Sequence, residues 1–211
     1  PDLVAVKAPA FSTAKLKGVD PSVGPFMQST GEVIGIATDP RVAMAKALTG
    51  AALIPPRAGE GVAPLALLSV ADRDKWGLAA LGHALVRAGY RLAATGGTRG
   101  RLEQEGIAGV VPVSRRGAEP VGDEGGILEL IASGEVRLVV NTPTPRSGPV
   151  RDAADIRHAT IAEGILCFTS IETGVAAAEA LDPAVAAQVP SVRPITAWVP
   201  PRPEREARTP A

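Results

Sequence analysis

The sequence predicts an α/β protein built on a parallel sheet with helices covering both faces. Two observations carry this expectation. From Leu65 onward, short apolar runs alternate with stretches of helical periodicity, an order that implies parallel strands buried on both sides. Polar residues then gather just past each apolar run, where the carboxyl ends of such strands would share one edge, the place where ligands sit in open α/β sheets.

The elements follow in order. Leu3–Val6 and Glu32–Ala37 read as strands joined by a long connection rich in turn residues. Asp39 and Pro40 start a helix that runs through Leu48, because aspartate accepts free helix N–H groups and proline fits the first helical position. Gly50 is its expected stop. Two strands and one helix make no independent core, so residues 1–54 read as the end of something larger. Residues 55–63, with Pro55 to Gly61 rich in chain punctuators, form a linker. A second domain is expected over 64–184, beginning with strand Leu65–Val70. A helix from about Arg73 to Ala88 follows, with Leu78, Leu81, Leu85 and Ala88 on one face and Gly89 as its stop. The alternation continues with a strand from Tyr90 to Ala94, a helix from Thr98 to Glu105, strand Gly109–Val113 and helix Gly126–Ala132. Strand Val136–Asn141, helix Ala154–Ala162, strand Ile165–Thr169 and a helix from Gly174 to Leu181 complete it. Residues 185–211 are expected to be a C-terminal segment with a proline- and charge-rich disordered tail from Pro200.

Composition narrows the function classes. The 211 residues carry 22 lysines and arginines against 22 aspartates and glutamates, so no broad field attracts nucleic acid or anionic lipid, and any anion site must be local. A lone cysteine, Cys167, excludes an internal disulfide framework and a multi-cysteine zinc site. His83 and His158 are far apart in sequence. No apolar run approaches the ~18 residues that cross a bilayer. The expectation is a soluble, cytoplasmic protein with no nucleic-acid or membrane partner. Aromatics are too scarce, at 3% of residues, to form base-stacking platforms.

The loops past the strands contain the candidate chemistry. Lys75 follows the first strand of the second domain, Thr95-Gly96-Gly97-Thr98 the second, Ser114-Arg115-Arg116 the third, and Asn141-Thr142-Pro143-Thr144 the fourth. Backbone N–H groups of paired glycines, hydroxyls at a helix N-terminus and a neighbouring lysine are what a phosphate monoester requires. The same residues could serve only as a helix cap, a tight turn and a solvated charge. Taken together, donors on all four loops with no clustered acid favour an anion pocket. No G-x-G-x-x-G or G-x-x-x-x-G-K-[ST] pattern points to a dinucleotide or a nucleotide-hydrolysing loop. Asp123-Glu124 reads as a solvated helix start, Cys167 as a buried inert thiol, and the two histidines as packing or surface residues.

Two stretches resemble a known family. FSTAKLKGVDP over residues 11–21 and GPFMQSTGEVIG over 24–35 closely resemble the end of the second ATP-grasp region in the large subunit of carbamoyl-phosphate synthase. Residues 64–182, with LLSVADRDK, AATGGT, GEVRLVVNTP and the following Ile156-Arg157, resemble the regulatory domain of the same subunit. The fold this resemblance implies is a methylglyoxal synthase-like three-layer α/β/α domain preceded by an incomplete ATP-grasp remnant. It implies an allosteric effector such as UMP or IMP, or N-acetylglutamate in some animal enzymes. Lys75, Thr95 and Thr98 then match positions that contact the nucleotide phosphate, Gly96 and Gly97 lie between those threonines, and Asn141 matches a nearby contact. Arg115 stands where a lysine is usual, and Thr144 is adjacent to Pro143, which replaces a usual threonine after Asn141 and Thr142. Phe26 and Gln28 also depart from the pattern, as does Phe168, which occupies an ornithine-binding aspartate position. The implied partners are the catalytic part of the large subunit and its glutaminase small subunit, in an enzyme that makes carbamoyl phosphate for pyrimidine and arginine biosynthesis. The ATP and Mg²⁺ sites of that enzyme are expected upstream of Pro1, so no cofactor or catalytic residue is expected within this sequence.

Other relationships compete with that reading. Methylglyoxal synthase shares the architecture and eliminates phosphate from dihydroxyacetone phosphate. Asp123 roughly resembles its catalytic loop, but a second acid and a histidine loop are replaced here by Asn141 to Thr144 and Asp72 to Asp74. The Thr-Gly-Gly-Thr segment also resembles the cyclohydrolase domain of the bifunctional enzyme that completes IMP synthesis. A domain that only docks on a catalytic core is the third alternative, and Lys75 with both threonines weighs against it.

Overall fold

The computed structural model describes residues 3–11, 30–51, 53, 63–114, 126–142, 150–191 and 193–198. The expected linker, the tail, Phe26, Gln28, Arg115, Asp123, Glu124, Pro143 and Thr144 lie outside the described residues. Five strands form one parallel sheet: β3 (Leu65–Ser69), β4 (Arg91–Thr95), β5 (Val111–Val113), β6 (Val136–Asn141) and β7 (Leu166–Phe168), in spatial order β5-β4-β3-β6-β7. A separate antiparallel pair, β1 (Val4–Phe11) and β2 (Thr30–Ala37), precedes them, followed by helix α1 (Pro40–Gly50).

β3 lies at the centre of the sheet, and its alternation creates two cores. Ala66 and Leu68 point into one layer with Leu78, Leu81 and Leu85 of α2 (Leu78–Arg87), Leu102 of α3 (Gly96–Gln104), and Ile171, Ala177 and Ala178 of α6 (Ile171–Ala180). Leu65 and Leu67 point into the other layer with Val139, with Ile127 and Ile131 of α4 (Ile127–Ala132), and with Ile156 of α5 (Val150–Ala162). Strands buried on both faces cannot afford polar side chains along their length, and the polar residues are accordingly displaced to the strand ends. Among the described residues, no helix is long and apolar enough to cross a membrane.

Several helices begin differently from the sequence expectation. The helix expected from Arg73 starts as a 3-10 helix over Asp72–Gly77, and α2 begins only at Leu78. At that junction Gly77 is pressed onto α6: a Cβ there would stand 2.5 Å from Ile171 Cγ1. α3 starts at Gly96, because Thr95 is extended and hands the chain straight into the helix, so the glycine pair forms its first turn. α6 starts at Ile171, with Ser170 Oγ accepting from the Thr173 N–H at 3.4 Å, and Gly174 lies inside the helix. α5 likewise begins earlier than expected, at Val150.

The first unit does not close its own core. Asp39 caps α1 as expected, accepting from the Arg41 N–H at 2.8 Å, and the Arg41 guanidinium holds its carboxyl below the usual carboxylate range. Val42, Ala43 and Ala45 of α1 pack with Ala37, but also with Ala180 of α6 and Val185 of α7 (Pro183–Ala186). The segment after residue 184 is therefore ordered well into what the sequence suggested was a trailing end. Lys46 Nζ donates to the Ser191 carbonyl at 2.8 Å and to the Ile36 carbonyl at 3.3 Å, and sits 5.4 Å from the centre of the Trp198 ring.

Two glycines provide a test of this packing. A Cβ on Gly35 of β2 would stand 2.0 Å from the Ala43 carbonyl oxygen and 2.5 Å from the Ala47 nitrogen, both backbone atoms of α1. Gly35→Ala must push α1 off the hairpin and is expected to destabilise the chain by about 1–3 kcal/mol. Gly100, inside α3, has nothing within 4 Å of the point a Cβ would occupy, so Gly100→Ala should stabilise by about 0.4–1 kcal/mol. Urea unfolding midpoints of the two variants check the pair, which should move in opposite directions.

Candidate anion-binding site

The central strand ends in an unusual way. After Ser69 its next two backbone N–H groups meet side chains: Val70 N–H donates to Thr98 Oγ1 at 3.0 Å, and Ala71 N–H donates to Thr142 Oγ1 at 2.8 Å. Thr98 lies in the first turn of α3, beyond β4, and Thr142 lies just beyond β6. The strands on either side of β3 thus each send one threonine hydroxyl to its end. Both threonines are buried, Thr98 completely, and a buried N–H left without such a partner would be costly. The Thr142 N–H in turn donates to the Ser69 carbonyl at 3.1 Å.

Within this brace lies the first turn of α3. Thr95 is its N-cap residue by backbone geometry, but its side chain caps no N–H group. Its hydroxyl instead donates to Thr98 Oγ1 at 3.4 Å, long for an O–H···O bond and easily redirected. The free N–H groups of the opening turn therefore keep no side-chain partner from the cap position, in contrast to α1 and α6, whose Asp39 and Ser170 fill that role. Gly96 and Gly97 are exposed, which leaves their backbone open to an approaching group.

Lys75 reaches the same turn from the 3-10 helix. Its Nζ would stand 3.1 Å from a Cβ placed on Gly97, so the ammonium lies over the α3 N-terminus. Asp72 Oδ1 is 2.6 Å from this Nζ, one 3-10 turn earlier, where the side chains eclipse. The Lys75 side chain is 24% exposed while that of Asp72 is 93% exposed, so the carboxylate approaches from the solvent side. A helix N-terminus carries partial positive charge, and the Asp72 carboxylate offsets part of the Lys75 charge that faces it.

Asn141 completes the arrangement. It is paired in register with Ser69, beside the end of β3, and is 4% exposed. Its Nδ2 is a buried donor with no hydrogen-bond partner among the described residues, a state that costs about 1–3 kcal/mol unless a ligand fills it. The topology therefore brings Lys75, Thr95, Gly96, Gly97, Thr98, Asn141 and Thr142 to three adjacent strand ends. Within that group the hydroxyls of Thr98 and Thr142 accept from the backbone after β3, and the donors left to other groups are Lys75, the α3 backbone and the buried Asn141 amide. The sequence reading missed this division, because hydroxyls that bind backbone and hydroxyls that bind a ligand look alike in a sequence. Ser114, after β5, is also buried at this edge, where its carbonyl accepts from the Ile127 N–H at 3.2 Å.

The histidines and the cysteine take no part in this edge. His83 and His158 are exposed on helices. Cys167 is half-buried on β7, and burial raises its thiol pKa more than the Thr160 hydrogen bond and the Arg157 charge lower it. Such a thiol is a poor nucleophile.

Residues 77–169 match the family model for the MGS-like domain. Over 179 residues, 85% of the chain, the sequence is 43% identical to the carbamoyl phosphate synthase large chain of Thermomicrobium roseum. The chain spans only 16% of that relative's length. The crystal structure of ForH aligns with 61% of this chain and 90% of its own, at 21% identity and a TM-score of 0.38.

The brace at the end of β3 has a direct test. Thr98→Val and Thr142→Val keep shape but remove the acceptors of Val70 and Ala71, so each is expected to destabilise the chain by about 1–3 kcal/mol. Thermal unfolding of each variant measures this, and hydrogen exchange at the Val70 and Ala71 amides should accelerate in the corresponding variant.

Proposed function

Because residues 77–169 form an MGS-like domain in a chain homologous to the carbamoyl phosphate synthase large chain, we propose that this chain is the regulatory end of such a large subunit. Its anion site would bind a phosphate-bearing nucleotide such as UMP or IMP. The supporting observation is the Lys75 ammonium held over the uncapped N-terminus of α3, two positive groups that an oxyanion would reconcile. The phosphate takes charge-assisted hydrogen bonds from Lys75 and from the N–H groups of Gly96, Gly97 and Thr98, and Thr95 turns its weakly held hydroxyl toward it. Asn141 offers its unpaired amide to a neighbouring oxygen. Arg115 and Thr144 belong to the same proposed set by sequence.

No step in this reading makes or breaks a covalent bond. The effector would alter carbamoyl phosphate formation, and with it pyrimidine and arginine biosynthesis, by binding two states of the whole enzyme unequally. Residues 1–54 would be the final part of an ATP-grasp domain whose ATP and Mg²⁺ are held elsewhere in the large subunit. The glutaminase small subunit would be a further partner of the assembled enzyme.

Calorimetric titration with UMP, IMP, N-acetylglutamate and inorganic phosphate tests the proposal. At least one phosphate compound should bind, and Lys75→Ala should weaken it roughly 10- to 100-fold, the worth of a hydrogen bond to a charged group. Absence of heat with all four ligands would reject the effector reading. Release of phosphate from dihydroxyacetone phosphate would replace it with the methylglyoxal synthase reaction.

A further inference from the structure

We propose that α6 is the rod through which occupancy of the anion site reaches the N-terminal unit, an inference that rests on reading the site as an effector pocket. Its first residues press on both segments that carry the site. Ile171 is buried, and its Cγ1 lies 2.5 Å from where a Gly77 Cβ would stand, with Gly77 only two positions beyond Lys75. One turn later, a Cβ on Gly174 would lie 3.3 Å from both methyls of Val140, the residue before Asn141. Both are close approaches made possible by glycine. A backbone shift of the segments that carry Lys75 or Asn141 toward a bound phosphate would therefore be felt at the start of α6.

The far end of the same helix is packed into the first unit. Ala177 and Ala178 share a core with Leu48 of α1, and Ala180 lies among Ala37, Val42, Ala43 and Ala45. Across its 10 residues, about 15 Å of helix, α6 buries small residues at Gly174, Ala177, Ala178 and Ala180 that permit close approach, while Glu172, Thr173 and Ala176 are exposed. Such a helix moves as a body when one end is displaced, because a close-packed interior does not absorb the change locally. The packed path is contiguous, but only a measured response at the far end would establish coupling.

The molecule contains a reporter at each end of this path. Trp76 lies beside Lys75 and is exposed, while the ring of Trp198 lies 5.4 Å from Lys46 Nζ of α1 and 5.2 Å from Arg193 Cζ. In the Trp76→Phe chain the one remaining indole N–H signal in a ¹⁵N-correlated spectrum belongs to Trp198. Titrating this chain with UMP and with inorganic phosphate, with calorimetry in parallel, should shift that signal along the binding isotherm. Adding Ile171→Ala, which removes the Cγ1 atom of the first contact, should leave binding in place and reduce the saturating shift by roughly half or more. Heat without any Trp198 shift overturns the role of α6 and leaves the site reading standing. A full shift in the Ile171→Ala chain overturns the route. No heat with either ligand overturns the effector reading itself, and the inference with it.

Discussion

The two hydroxyl acceptors at the end of β3 are the constraint from which the site is built. A parallel strand satisfies its backbone only as far as its neighbours run alongside, and beyond that point its N–H groups need new partners. Here Thr98 and Thr142 supply them from opposite sides, at Val70 and Ala71. The consequence is geometric. The first turn of α3 is tied to the chain entering the 3-10 helix, so Lys75 is carried to a fixed place over that turn. Asn141, beside Thr142, is tied to the same strand end. These hydrogen bonds tie the donors of the site to the backbone of β3.

Much of this was legible in the sequence, and the gaps have physical causes. The alternation from Leu65 onward reported the parallel sheet, because strands covered on both faces must be apolar throughout and must place polar groups at their ends. All five strands lie where those runs indicated, within a few residues at each end. Helix starts were harder. Gly96 and Gly97 looked like a turn, yet both lie in the first turn of α3, with Lys75 close to Gly97, and Gly174, expected at a helix start, lies inside α6 against Val140 of β6. The break at Gly77 is imposed by Ile171, nearly a hundred residues later, and no local pattern encodes it. The strand-end positions of Lys75, Thr95, Thr98, Asn141 and Thr142 were legible because they follow apolar runs. The roles of the threonines were not, because the partner of a hydroxyl is decided by the register of β3 against β4 and β6.

Homology and geometry bear on different questions. The 43% identity to a carbamoyl phosphate synthase large chain, over 85% of this chain and 16% of that one, says what the sequence is similar to. The geometry identifies the atoms at stake: an ammonium, an uncapped helix start and an unpaired buried amide, gathered at one edge of a sheet in a molecule without net charge. A local site of this kind acts at contact range, since no wider field draws the ligand in. Its selectivity must come from fit.

The position of Lys46 has a consequence for how the molecule assembles. Its ammonium grips the Ser191 carbonyl, 145 residues away along the chain, and the core around Val42 and Ala43 is completed by Ala180 and Val185. The β1–β2 hairpin and α1 are made before α6, α7 and Ser191, and cannot complete this shared core until those later segments have emerged. Contacts of such long sequence separation form late and slow folding. The hairpin and α1 are thus among the last of the described elements to settle.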